Sequence, residues 1–173
     1  MTAEQRKGVI SHRISTEPDR FYLNETLMSS PGKMGAGPRM AILHVKTSRR
    51  TEWVKITSEV NRCVAASRVS SGICHLYVPH TTAGVTINEG DDPDVALDTE
   101  AAFDRMVPRD AGYKHYEGNS DSHIKASLVG CSQSVWIEDG RLRLGRWQAI
   151  FFCEFDGPRN REVHVKIVPD AVE

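Results

Sequence analysis

Apolar and polar residues begin to alternate regularly at Met40 and continue nearly to the C-terminus, whereas residues 1–39 show no period. Ile42 to Val45 and Trp53 to Ile56 suit strands. Ile56, Val60, Cys63, Val64 and Ser67 then recur at helical spacing, with Thr57 or Ser58 as the cap and Glu59 in the first turn. Ser71-Gly72 ends that helix. Ile73 to Val78 and Gly84 to Asn88 read as two further strands. Asp91-Asp92-Pro93 starts a second helix, an Asp cap followed by proline at the first helical position. Its apolar face is Val95, Ala102, Phe103 and Met106, and Pro108 stops it. After a polar loop from Arg109 to Ser120, a third helix runs over Asp121 to Val129, with Gly130 as its stop.

The remainder is β. Ser134 to Ile137 and Leu142 to Leu144 flank Asp139-Gly140, a hairpin signal. Ala149 to Phe155 and Glu162 to Val168 follow, the last with Val163, Val165 and Ile167 inward against His164 and Lys166 outward. Strands and helices do not alternate regularly, which excludes a doubly wound parallel sheet. An α+β fold is expected, with two packed, mainly antiparallel sheets and about three helices. Residues 40–173 form one domain in this reading. Residues 1–39 bury too little apolar surface to order themselves and are expected to be a disordered or loosely attached extension. Met40 is a candidate native start, which the intact mass of the native protein checks.

Composition narrows the function classes. With 22 Lys+Arg against 23 Asp+Glu in 173 residues, there is no basic footprint for nucleic acid and no polybasic membrane patch. No run approaches the roughly 20 apolar residues of a membrane span, and the first residues lack a signal-peptide core. Cys63, Cys74, Cys131 and Cys153 form no CxxC pair and read as core thiols of a reduced, cytoplasmic protein.

Seven histidines carry the candidate chemistry. His12 falls in the extension and reads as solvent-facing, His44 and His164 lie opposite apolar faces and read as exposed, and His75 reads as a hydrogen-bonded strand residue. His80 stands in Pro79-His80-Thr81-Thr82-Ala83-Gly84, a break between strands with two hydroxyls; Asn88-Glu89 closes the next strand. His115 lies in the polar loop and His123 at a helix start, where the helix dipole favours the neutral ring and free amides suit an anion. Ser127 shares a helix face with His123. Three histidines and a carboxylate suit a divalent ion with an open position; a cluster that hydrogen-bonds an anion and a set of purely structural histidines fit the spacing as well. Glu154, facing inward from an apolar run, calls for a partner, either Arg146, Arg159 or Arg161 or a ligand. Trp147-Gln148 could pack against a ligand or serve as core.

Read together, His75-Leu76-Tyr77-Val78-Pro79-His80-Thr81-Thr82-Ala83-Gly84-Val85-Thr86-Ile87-Asn88-Glu89, His115-Tyr116-Glu117-Gly118-Asn119, His123 to Gly130 and Gly140 to Glu154 resemble the YjbQ-like family. The resemblance implies a homotrimer with clefts near subunit interfaces. It implies a metal or anion site at His80, His115 and His123, with zinc or magnesium as the divalent ion. Glu89 and His123 become candidates for proton handling. Thr81, Thr82, Asn88, Ser127, Trp147, Gln148 and Glu154 become candidates for substrate or anion contact. The resemblance also implies a thiamine-phosphate synthase-like transferase, joining a pyrimidine pyrophosphate to a thiazole phosphate. The alternative is a non-catalytic metal- or metabolite-binding trimer. Gly90 and Arg146 depart from the family's asparagine and threonine.

Overall fold

A computed structural model describes residues 11–13, 20–24 and 39–171. Ten strands and three helices follow in the order β1 (Ser11–Arg13), β2 (Phe21–Asn24), β3 (Met40–Lys46), β4 (Glu52–Lys55), α1 (Thr57–Ser67), β5 (Gly72–Tyr77), β6 (Ala83–Glu89), α2 (Pro93–Met106), α3 (Ser120–Val129), β7 (Ser132–Glu138), β8 (Arg141–Leu142), β9 (Gln148–Glu154) and β10 (Asn160–Pro169). A seven-stranded sheet has the order β1-β2-β3-β10-β5-β7-β8 and a three-stranded sheet the order β4-β9-β6, with every pairing antiparallel. The fold is α+β, as the order of elements requires.

Alternation places Leu43, Val45, Cys74, Leu76, Val163 and Val165 on one face of the large sheet, fully out of water. They pack with Val60, Cys63 and Val64 of α1 and with Val85, Ile150 and Phe152 of the small sheet in the main core. The small sheet's other face carries Ala149, Phe151 and Cys153 against Ala126 and Val129 of α3. Phe103 of α2 closes this second cluster, its ring 6.3 Å from Trp53 and 6.1 Å from Phe155.

Several local expectations are corrected. α1 has no side-chain cap; the Thr57 hydroxyl instead accepts the Ile150 amide at 2.9 Å, tying the helix to β9. The helix stops at Ser67, not at Ser71-Gly72, because the Ser67 hydroxyl bonds back to the Val64 carbonyl at 2.6 Å and accepts the Val69 amide, with Arg68 left-handed at φ 57°. Met106, expected on the apolar face of α2, is 68% exposed. Cys131 is exposed, unlike the other three thiols, because it lies at the turn beyond Gly130. His44 and His164 are only half-exposed: His44 stacks on Tyr22 at 4.1 Å and His164 meets the edge of Tyr77 at 6.0 Å. The α2 cap is as read, Asp92 accepting the Asp94 amide at 2.9 Å, and Asp139 and Gly140 both take positive φ in the hairpin turn.

Within the N-terminal extension, β2 pairs with β3 from Phe21↔Val45 to Asn24↔Ile42, and Phe21 packs on the main core. Arg20 ion-pairs with the buried Glu52. This part of the extension is attached along the β3 edge. β1 pairs in turn with β2; the expectations for residues 1–10, 14–19 and 25–38, and for the His12 side chain, lie outside the described residues.

Candidate functional site

His80 follows the break at Pro79, where β5 ends and the chain turns towards β6. α3 sits against the start of β6 because Gly84 lacks a side chain; a Cβ there would lie 2.6 Å from the Gly130 carbonyl oxygen and 2.9 Å from Val129 Cγ1. The Val85 amide bonds that same Gly130 carbonyl at 3.1 Å. This close approach brings α3 over the His80 turn. His80, Thr81, Tyr77, His123, Ser127 and Cys131 line the resulting cleft of about 660 Å³.

α3 is held in place by buried charge. Lys125, 2% exposed, donates to Asp104 of α2 at 2.6 Å and to Asp121 at 3.2 Å. Arg50 reaches Asp121 at 2.8 Å, and the Ser122 hydroxyl donates to the Phe155 carbonyl at 2.5 Å. Burial alone would raise the Asp121 carboxyl, but its bonds from Arg50 and Lys125 hold it below the usual carboxylate range. Sequence reading missed this network, although the i,i+4 spacing of Asp121 and Lys125 was a signal. The amides of Ser122 and His123 both bond the Asn119 carbonyl, at 3.0 and 3.3 Å, so neither is free for an anion.

His123 also borders a second, shallower groove of about 480 Å³ with Tyr113, His115 and Ile124. The His115 and His123 rings meet edge to face at 5.4 Å. His80 therefore joins His123 in one hollow, and His115 joins it in another. Burial, and then the nearby Arg161, lower the His80 pKa, so the ring is neutral near pH 7. Its Nε2 accepts the Glu162 amide hydrogen at 2.9 Å. The Ser127 hydroxyl donates to the His123 carbonyl at 2.8 Å, which leaves its oxygen lone pairs for a ligand.

Glu154 and Thr82 lie beneath the cleft in closed bonding. Glu154, fully buried, receives Arg161 Nε at 2.7 Å and Nη2 at 2.6 Å, the Thr47 hydroxyl at 3.2 Å, and the Phe155 and Asp156 amides at 3.1 and 2.9 Å. The Thr82 hydroxyl accepts Arg161 Nη2 at 2.8 Å. Of the partners open in the sequence, Arg161 is the one the fold supplies.

Asn88, Glu89, Trp147 and Gln148 gather elsewhere. Ala83 pairs with Glu154 at one end of β6, and Glu89 pairs with Gln148 at the other. Six strand steps separate these ends by roughly 20 Å, so one chain does not bring this group to His80. Trp147 is 51% exposed, with the Arg146 guanidinium 4.8 Å above its ring, and is not core. Gln148 accepts the Gly145 amide at 2.8 Å. At Gly90 a Cβ would fall 2.3 Å from that of Ala149, and Lys55 donates to its carbonyl at 2.7 Å, so no side chain fits there.

The implied metal set does not fit this arrangement. His80 has its Nε2 lone pair engaged, and among the described residues no three His, Cys, Asp or Glu side chains come together as a metal-holding group. No described helix is long and apolar enough to cross a membrane.

Known proteins share this framework. The family profile "UPF0047 protein YjbQ-like" matches residues 41–170. A UPF0047 protein of Methanocaldococcus jannaschii is 52% identical over 126 residues, which is 73% of this chain and 91% of that protein. The UPF0047 protein YugU of Bacillus subtilis is 48% identical, over 73% of this chain and 96% of its own. A crystal structure of an uncharacterised YjbQ/UPF0047 protein from Clostridium acetobutylicum superposes with a TM-score of 0.72 at 51% identity, covering 73% of this chain and 98% of that one. One from Sulfolobus solfataricus, described as of unknown function, gives 0.73 at 30% identity, over 76% and 96% of the two chains. By profile, by identity and by fold, the chain belongs to the YjbQ-like UPF0047 family.

Proposed function

We propose that the protein binds a phosphorylated or pyrophosphorylated small molecule in the His80–His123 cleft, in a reduced, cytoplasmic setting. The observation that carries this reading is the cleft itself, of ordinary ligand size and lined by a neutral histidine, a second histidine and the hydroxyl residues Tyr77, Thr81 and Ser127. The family resemblance makes a thiamine-phosphate synthase-like transfer the reaction to assay: the nitrogen of a thiazole phosphate bonds to the pyrimidine methylene as its C–O bond to pyrophosphate breaks, and His123 gives a proton to the departing pyrophosphate. A non-catalytic metabolite-binding protein is the alternative. A divalent ion such as magnesium, which prefers oxygen ligands, would enter on the pyrophosphate and not on the histidines.

The same proposal includes a homotrimer. Asn88, Glu89, Trp147 and Gln148 lie at the far end of β6, and a second copy is needed to bring such a group to a cleft. Ile124 and Leu128 of α3 are exposed beside the cleft and supply apolar surface for a partner. A native mass three times the 19.3 kDa of the chain checks the assembly.

Calorimetric titration of pyrophosphate into wild type and His123→Ala tests the reading. The variant is expected to keep its circular dichroism and lose roughly tenfold in affinity, the worth of about one hydrogen bond. Equal affinities would remove His123 from the site. Product formation from the paired substrates separates the transferase from the binding protein.

A further inference from the structure

The two nitrogens of His80 have different tasks. The ladder between β5 and β10 stops at the Tyr77↔His164 pair, and Pro79 cannot extend it as a donor. The next β10 amide on that side, that of Glu162, is left without a strand partner, and His80 Nε2 accepts it at 2.9 Å. A peptide N–H only donates, so Nε2 must present a lone pair. Turning the ring over would set a carbon against that amide, so hydrogen bonding fixes the orientation of the ring as well. A neutral imidazole carries one proton, and here it sits on Nδ1. No second hydrogen bond to the ring exists among the described residues, and Nδ1 is not among the buried atoms left without a partner. It is therefore accessible on a residue that lines the cleft.

We propose that His80 serves the cleft as a hydrogen-bond donor through Nδ1, and that the cleft takes an oxyanion there, the oxygen of a phosphate or pyrophosphate, in place of a metal ion. Metal ligation needs an imidazole lone pair. The one that His80 has is committed to the Glu162 amide, and the other nitrogen is protonated. Releasing Nε2 for a metal would strand a strand-end amide, at the cost of a lost hydrogen bond. Donating from Nδ1 costs nothing that the fold has already used. The Glu162 amide is thus a positioning group that sets the tautomer, and the Thr81 hydroxyl beside His80 is a second donor on the same turn. This inference rests on the phosphorylated-ligand reading of the cleft and specifies which of the chain's groups meets the anion.

Long-range ¹⁵N–¹H NMR of the full chain at pH 7 reads the tautomer directly. Sodium pyrophosphate and zinc chloride are titrated separately, with His80→Ala identifying the ring signals. The Nδ1–H tautomer is expected, with pyrophosphate moving Nδ1 and leaving Nε2 in place. His80→Ala is expected to weaken pyrophosphate binding roughly tenfold, the equivalent of one hydrogen bond, with zinc uptake unchanged. An Nε2–H ring overturns the proposal, as does zinc that perturbs the His80 nitrogens; if pyrophosphate still binds, the phosphorylated-ligand reading survives. If pyrophosphate binds nowhere, both fall. Should His80→Ala fail to fold, the wild-type titrations alone decide.

Discussion

Arg161 and Glu162 are neighbours on β10, yet they serve two regions that treat polarity in opposite ways. The Arg161 side chain turns inward to Glu154, where five donors meet one carboxylate that water does not reach. The Glu162 amide turns sideways to His80, where one nitrogen is satisfied and the other is open. In the first region both oxygens of the carboxylate have been used to complete the architecture. In the second, hydrogen bonding inside the protein stops one step short of completion, at Nδ1 of His80 and at the accepting lone pairs of Ser127. A buried, closed polar cluster is committed to the architecture, whereas an accessible, half-closed one keeps hydrogen-bonding capacity that the proposed ligand would use. Residue type alone does not separate them: Glu154 and Glu89 both ended apolar strands in the sequence, but one is sealed and the other half-exposed.

The sharpest way to break this comparison is to open the closed region. Arg161→Ala leaves the Glu154 carboxylate buried with amides and one hydroxyl but no cation. Removing one partner of such a pair costs about 3–5 kcal/mol. Urea denaturation is expected to show a loss of that order. A loss under about 1 kcal/mol, the range of exposed ion pairs, would mean that water enters the pair and that the contrast with the cleft is false.

Protonation perturbs the open region with less force. Burial lowers the His80 pKa, and Arg161 adds to the effect; burial also lowers that of His44. Unfolding restores both rings to the ordinary value near 6.5. Below that value the unfolded chain binds more protons than the folded one, so stability that is fully present at pH 7 is expected to decline as pH falls through 6 towards the folded-state values. The melting temperature measured from pH 7.5 to 5 checks this. His80→Ala should flatten part of the slope, and an unchanged slope would mean that His80 titrates alike in both states.

Much of this contrast was legible before any coordinates. The α2 start, the β10 alternation and the hairpin at Asp139-Gly140 follow from local rules, since caps, alternation and positive-φ turns are decided within a few residues. His80, His123 and Ser127 were legible as candidates because polar residues at a strand break and on one helix face have few structural uses. What could not be read was long-range pairing. Nothing in the sequence tells whether Glu154 meets Arg146, Arg159 or Arg161, because register places Arg161 beside it only once β9 and β10 lie in different sheets. The spacing of His115 from His80 likewise concealed that they line separate hollows. The tautomer of His80 depends on where β5 stops pairing, a property of two strands at once.

The thiols measure the same contrast with the smallest energetic disturbance. Cys153 is fully buried between the small sheet and the helices, and burial pushes its pKa well up; Cys74 is pushed to about 12 in the main core. The thiolate is the reacting species, so both are doubly protected, by access and by protonation. Cys63 is buried on α1 as well. Cys131 shares the cleft lining with His80 and Ser127 and is open to reagent. Brief treatment of the folded chain with iodoacetamide is expected to add one carbamidomethyl group, located by peptide mass spectrometry at Cys131, with a change in stability within about 0.5 kcal/mol. Saturating pyrophosphate should slow that single modification, because a ligand in the cleft shares its walls with the thiol. Labelling at Cys74 or Cys153 before unfolding would show that the interior opens on the timescale of the reagent, and closed bonding would then not distinguish the two regions. Labelling of Cys131 at a rate indifferent to pyrophosphate would place the anion away from the His80 turn.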